Sequence, residues 1–429
     1  LRLGVNAGNS IASGGNYNVV LGDEAGTAIT TGDGNVAVGF EALKTEDANG
    51  ESVAVGFQAL KTQNAGASGL NTAVGYLAGT GITTGVKNTL IGANAGDALT
   101  DADNNVAVGF QALSTDTKGS KSVAIGNDAL FAQNFTTSTD SNNTAVGYGA
   151  GKAVTTGINN TLIGTGSGDA LTDADYNTAI GGFAQTADTL GSKTTAIGWG
   201  SLQAQNFTTA TDSFNTAVGY YASVGITTGR YNTIVGALCC GSMTTNVEMT
   251  AVGYGLAATS QTGRAREIVI GSNGTGGGSN TARFITSQGS ATLGIDGSDT
   301  SWAAASDSRL KKEIANSTVG LEFIKDLRPV TFKWNAKNAI ADSLPQYVAN
   351  SSDPVYGEGK AHHGFIAQEV KAVIDSHSDV VDGHNLWAQD PDGTQQIAPS
   401  ALVPMLTKAI QELSTALDAA LARITTLEG

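Results

Sequence analysis

Proline is missing from this 429-residue chain until Pro329, and all six prolines (Pro329, Pro345, Pro354, Pro391, Pro399 and Pro404) lie in its last third. Histidine is just as one-sided (His362, His363, His377, His384), and three of the four tryptophans lie after residue 300. This shift divides the chain near residues 290–300, and the length alone calls for two or more structural units. Cysteine is confined to the adjacent pair Cys239 and Cys240, which excludes a disulfide framework. A bridge between neighbours is strained, so the pair reads as two small packed thiols. No run reaches the roughly 18 apolar residues that span a bilayer, so no membrane insertion is expected. Positive charge is scarce, with 23 Lys and Arg against 38 Asp and Glu and a net charge of −15. The acids are spread along the chain, which argues against a nucleic-acid partner. No HExxH or CxxC spacing occurs, so neither a metal site nor a cofactor is expected. The first residue is Leu1 rather than methionine, which points to a fragment and makes the lack of a signal peptide uninformative.

What the chain does have, from its start to about Gly271, is a repeat. NTAVGY begins at Asn71, Asn143 and Asn215, at equal intervals that define a super-repeat. Degenerate copies lie between them: NTLIG at Asn88 and Asn160, NVAVGF at Asn105, SVAIG at Ser122, NTAIG at Asn177 and TTAIG at Thr194. Each copy closes on a glycine, in a series of fifteen from Gly22 to Gly271. Within one super-repeat the three steps from Gly75 through Gly92 and Gly109 to Gly126 are equal, and the fourth, to Gly147, is longer. Each copy predicts a strand of four or five residues, ended by a glycine free to take positive φ. So short a strand cannot bury an apolar face alone and must stack on the turns above and below it. Asn and Thr at fixed positions would then form ladders, and the frequent Ala and Gly imply a thin interior. A thin coil is better stabilised against copies of itself, so the expectation is a mainly β fold, a repetitive β-roll or solenoid assembled as a homotrimer.

These motifs resemble the left-handed β-roll head repeats of trimeric bacterial adhesins, which also occur in phage fibres. The resemblance spans about residues 1–272, with longer repeats than is usual in adhesins. The long turns carry QNFTTSTDS (Gln133–Ser141) and QNFTTATDS (Gln205–Ser213). They read as protruding loops, the usual place for binding on a rigid scaffold, or as an insertion duplicated with its repeat. TDADNN from Thr100 and TDADYN from Thr172 lack the glycine and distal glutamate of an EF-hand and read as turn formers.

Residues 273–300 read as a junction, and residues 301–429 as a different, small α+β domain. GLEFIKDLRPVTFKW (Gly320–Trp334) predicts a helix that stops before Pro329, then a strand. GFIAQEVKAVI (Gly364–Ile374) predicts a strand end running into an amphipathic helix. From about 400 to 428, Val403, Leu406, Ile410, Leu413, Leu417, Ala420, Ile424 and Leu427 alternate steps of three and four, the seam of a coiled coil. Pro404 suits its first turn.

At the border stands SDSRLKKEI, beginning at Ser306. Alone it reads as a helix start, with Ser306 or Asp307 as N-cap and the lysines on a solvated face. Together with LRPVTFKW and HHGFIAQEV, in that order, it resembles the intramolecular chaperone domain of phage tail spikes and fibres, of the peptidase S74 type. That family's Ser-Asp-x-Arg-x-Lys pattern falls on Ser306, Asp307, Arg309 and Lys311. The resemblance implies a domain that trimerises, drives folding of the preceding fibre and cuts itself off between Ser306 and Asp307. A serine hydroxyl is a weak nucleophile until a base takes its proton. Lys311 is that base if Arg309 and Lys312 lower its affinity for protons. Ser306 Oγ lies beside the bond to be cut, so attack is intramolecular; an N→O acyl shift followed by hydrolysis, and a direct attack, both stay open. Such a reaction is single-turnover, with no external substrate.

The function these readings imply is the distal part of a trimeric phage tail fibre or spike, located in the virion tail and binding a glycan or protein receptor on the host surface. The alternative is a bacterial surface adhesin that carries the same module without efficient cleavage. A glycan-degrading spike is disfavoured, because a repetitive roll offers no unique pair of carboxylates.

Overall fold

The computed structural model describes residues 2–428 except 264–265, 288, 296–302, 305–307, 309–310, 345, 357–358, 381–385 and 390–392. It contains two compact units, Leu1–Ala305 and Ser306–Gly429.

The first unit is a β-solenoid. Sixteen parallel strands, one per turn, run from Arg2–Leu3 to Glu267–Ser272, most of them three residues long. Neighbours pair in strict register; Thr144, Ala145 and Val146 face Thr161, Leu162 and Ile163, and these face Thr178, Ala179 and Ile180. The central residue of each strand is inside: Ala107, Ala124, Ala145, Ala179 and Ala196 are fully buried, with Leu90, Leu162 and Ile234 filling the same column. The residues that follow the central one, such as Ile91, Ile125, Ile163 and Val235, point out of the coil. The interior is narrow, and the column alternates alanine with an occasional leucine or isoleucine, so that small and large side chains share its volume.

Buried asparagines close the coil in two directions. Asn160 Nδ2 donates to the Ala174 carbonyl across the turn (2.8 Å), and its Oδ1 accepts the Asn177 backbone N–H of the next turn (2.9 Å). Asn71, Asn88, Asn105 and Asn215 make equivalent pairs of bonds. Each side chain thus satisfies backbone groups that a three-residue strand leaves unpaired. The strand-closing glycines are obligatory at the tightest point. Gly109 has φ +141°, and a Cβ there would stand 2.4 Å from the Gly126 carbonyl oxygen.

The long turns are less free than their polarity suggests. Gln205 and Phe207 are buried, and the fully buried Asp188 accepts the Gln205 amide (2.6 Å) and the Phe207 N–H (3.0 Å). Asp116, Gln133 and Phe135 repeat this one super-repeat earlier. Thr211–Asp212 pairs back onto Gly191–Ser192, so only short tips such as Thr208–Ala210 are exposed. The TDAD turns bind the coil to itself: Asp103 and Asp175 accept the N–H groups of Val86 and Ile158 one turn away. Cys239 and Cys240 are free and buried, and burial pushes the Cys240 thiol up to about 12.

The parallel pattern ends at Thr281–Thr286, which pairs parallel with the last turn but antiparallel with Gly289–Gly294. The second unit is small and α+β, with helices α1 (Leu321–Asp326), α2 (Ala367–Ser376) and α3 (Val403–Glu428). Strand Val330–Phe332 pairs with His362–Gly364, and Trp387–Gln389 with Gln395–Ile397. Its core holds Val319, Phe323, Leu327, Val370, Leu386, Leu402 and Met405. Pro329 ends the first helical stretch, and Pro404 sits in the opening turn of α3, as their chemistry requires.

Candidate functional site

Ser306, Asp307 and Arg309 lie outside the described residues. Lys311 and Lys312 are described, exposed and free of helix; the Lys311 N–H donates to the Ser308 carbonyl (3.1 Å), and Lys312 pairs with Glu313 at 3.6 Å. At Lys311 and Lys312 the backbone is neither helix nor strand, and the first α-helix of the unit is Leu321–Asp326.

The segments that follow are held together by contacts distant in sequence. The strand in LRPVTFKW pairs with the strand in HHGFIAQEV, Phe332 opposite His362 and Thr331 opposite His363. Arg328, just beyond α1, forks onto Glu369 in the first turn of α2, with Nε 3.0 Å from Oε2 and a second bond through Nη2. That guanidinium holds the Glu369 carboxyl below the usual range. His377, at the end of α2, reaches Asp326 at the end of α1 (2.8 Å) and stands edge-on to Phe323. His362 packs against Phe332 and Trp334, and its buried Nε2 has no hydrogen-bond partner among the described residues. His384 lies outside the described residues.

Helix α3 has two working faces. Leu402 just before it, then Met405 and Ala409, are buried against the unit's own core. One turn further, Glu412 accepts the Leu321 N–H at 2.8 Å and so caps the start of α1, 91 residues away in sequence. This bond, with Lys408 beside it, lowers the Glu412 carboxyl. The other face is the heptad seam. Val403, Leu406, Ile410, Leu413, Leu417, Ile424 and Leu427 are all exposed, Ile410 at 67 % and Leu427 at 85 %.

Residues 306–379 match the family model described as chaperone of endosialidase. The chaperone segment so identified opens at the first residue of the second compact unit and takes in α1, α2 and the strand pair between them. The long β-solenoid precedes it, and the seam of α3 follows it. Neither the curated proteins nor the solved structures contain a match to the chain. Among the described residues of the chain, no group of His, Cys, Asp and Glu side chains could hold a metal, and no helix is long and apolar enough to cross a membrane.

Sequence reasoning missed Glu412 and His377, since nothing local marks a partner 91 or 51 residues away. Both Glu369 and Glu412 have folded-state values below their unfolded ones. Their contribution is therefore complete above the ordinary carboxylate value, near 4.3, and fades as pH falls through the lowered values. Hydrogen exchange of α1 and α2 should accelerate as pH drops from 6 toward 3, after correction for intrinsic rates. Glu369→Gln with Glu412→Gln should flatten that trend; an unchanged trend in the double variant would remove these two acids as its source.

Proposed function

We propose that this chain is the distal part of a trimeric phage tail fibre or spike that attaches to the host surface. Its chaperone domain aligns and folds three chains, then cuts itself off after Ser306, with Lys311 as base and the Ser306 hydroxyl beside the scissile carbonyl. The observation that carries the reading is the chaperone-of-endosialidase match at residues 306–379, directly behind a repetitive β-solenoid. Two further features support it. The exposed seam of α3 is an apolar a/d stripe of the kind that a parallel coiled coil covers. The outward row of Val, Ile and Leu makes the second face of a parallel sheet, and parallel sheets are normally covered on both faces. The proposed scissile bond lies immediately beyond the first compact unit, so cutting there leaves the solenoid whole.

Lys311 Nζ, when neutral, takes the proton from Ser306 Oγ. An N→O acyl shift passes through a five-membered ring onto the Ala305 carbonyl; hydrolysis of that ester yields a product ending at Ala305. A product ending at Ser306 instead needs attack on the Ser306 carbonyl. Its own Oγ reaches that carbonyl only through a strained four-membered ring, so a Lys311-activated water, held by the Ser306 hydroxyl, is the better nucleophile there. Water adds to the carbonyl, and the Asp307 amine leaves with a proton.

Mass spectrometry of wild type and Ser306→Ala, under denaturing and native conditions, tests both parts. Wild type should yield a fragment ending at Ser306, the variant should be cut there far more slowly because it lacks the hydroxyl that holds the water, and both should be threefold assemblies. A fragment ending at Ala305 selects the acyl shift. Two intact chains remove self-cleavage, and a monomeric variant removes the trimer.

A further inference from the structure

The two successive super-repeats act as an internal control, because their long turns are near-identical and differ at a few identifiable positions. In the second copy, Asp173, Asp175, Ser192, Ala210, Thr211, Asp212, Phe214, Arg230 and Tyr231 line a pocket of about 620 Å³ on the side of the coil. The first copy has the same three acids as Asp101, Asp103 and Asp140, and the same serine as Ser120. Where the second has Phe214, Arg230 and Tyr231, however, the first has Asn142, Ile158 and Asn159. The first copy also spans Asp101 with Lys118 (3.6 Å); the second has Leu190 at that position, which leaves Asp173 without an ion pair among the described residues.

The exchanged residues build one object. Phe214 and Tyr231 stack, with centroids 5.6 Å apart and planes at 12°; Lys193 sits 5.3 Å over the first ring, and Arg230 5.6 Å over the second. The ring faces are occupied by each other and by two cations, so the wall is fixed before any ligand arrives. Opposite polar groups remain available. Asp173 uses one oxygen on Thr156 (2.7 Å), Asp175 one on Ile158 N–H (2.7 Å) and Asp212 one on Lys193 (2.5 Å). Their second oxygens and the Arg230 guanidinium make no further hydrogen bond among the described residues.

We infer that this pocket binds a short neutral oligosaccharide, an inference that rests on the attachment reading and names its ligand class. Carboxylate oxygens accept from sugar hydroxyls and the guanidinium donates to them, while the stacked rings hold Arg230 in place and bound the pocket with their edges. The volume falls within the usual range for small-ligand sites, about 300–1,000 Å³, and suits several sugar rings. Three acids against Arg230 and a Lys193 already paired with Asp212 leave the site negative. Sialylated and uronic glycans are therefore disfavoured, as is any polyanion approaching a chain of net charge −15.

The test reverts the second copy to the first: Phe214→Asn, Arg230→Ile and Tyr231→Asn together, residues that the same coil already accommodates at Asn142, Ile158 and Asn159. The full-length wild type and this variant are titrated with soluble neutral tri- to pentasaccharides built on glucose, galactose, mannose or N-acetylglucosamine, and with sialylated and uronate counterparts. The expected result is that wild type binds a neutral glycan, that the acidic ones bind at least about tenfold more weakly, and that the reversion costs tenfold or more with no change in melting temperature. Preference for acidic glycans overturns the inference, as does neutral binding that survives the reversion. A reversion that alters only the assembly state also overturns it and makes the patch a contact between copies. Adsorption of wild type to bacterial cells is measured in parallel. Adsorption without glycan binding sinks this site but leaves the attachment reading; no adsorption to any strain and no glycan binding sinks both.

Discussion

Replacing Gly109 by alanine is expected to destabilise the β-solenoid severely. Its φ of +141° lies where only glycine is comfortable, and the strain from that alone is on the order of 1–3 kcal/mol. The new Cβ would also meet the Gly126 carbonyl oxygen at 2.4 Å, and that oxygen belongs to the backbone of the next turn, which cannot rotate away. Relief requires the two turns to part, and because each turn is held only by its neighbours, the defect spreads along the stack. Gly149 is the control, with φ +64° and nothing within 4 Å of its added Cβ. Gly149→Ala should cost only about 1 kcal/mol. Thermal melting and soluble yield of the two variants check this; equal behaviour would show that the glycine column is not the tight point.

The second large effect concerns folding. A chain ending at Ser306, made without residues 307–429, is expected to aggregate, whereas removing the same residues from folded protein should change little. The reason lies in the sameness of the rungs. Ile91, Val108, Ile125, Val146, Ile163, Ile180 and Ile197 occupy one outward column, so a neighbouring copy shifted by a whole turn buries nearly the same surface. Little then selects the correct register until something level holds the chains. On the proposed function, a coiled coil at the C-termini supplies that level, and its removal after assembly takes away the easiest way back to the unfolded chain. Light scattering and native mass of the short and full-length products decide the matter. A soluble threefold assembly from the truncated gene would end the chaperone argument for this fibre.

Much of this protein was legible because its signals are local. A glycine recurring at near-constant intervals, behind a Thr-Ala-Val triplet, is enough to specify a rung, and the asparagine before the triplet announces a ladder. Pro329 and Pro404 mark a helix end and a helix start through their own ring geometry. The Ser306–Lys311 segment was legible as a motif, since its residues are neighbours in sequence.

What determined the rest is distance along the chain. Alternation in a strand says that its two faces differ, yet only the closure of the coil decided that the central residue, Ala145 or Leu162, goes in and the one after it, such as Ile163, goes out. The inside of one turn is bounded by the turns above and below, and its volume is shared between the alanines and the leucines or isoleucines of neighbouring turns. The same holds for the two carboxylates that pin the second unit: Glu412 finds Leu321 across 91 residues and Glu369 finds Arg328 across 41. It holds too for the pocket between Asp173 and Tyr231, whose walls come from successive turns. Period and turn chemistry are properties of a few consecutive residues, so the sequence determined the rungs, the helices and their order. Which faces meet depends on stacking turns brought together only by folding, so the tertiary structure decided the inside, the outside and the site.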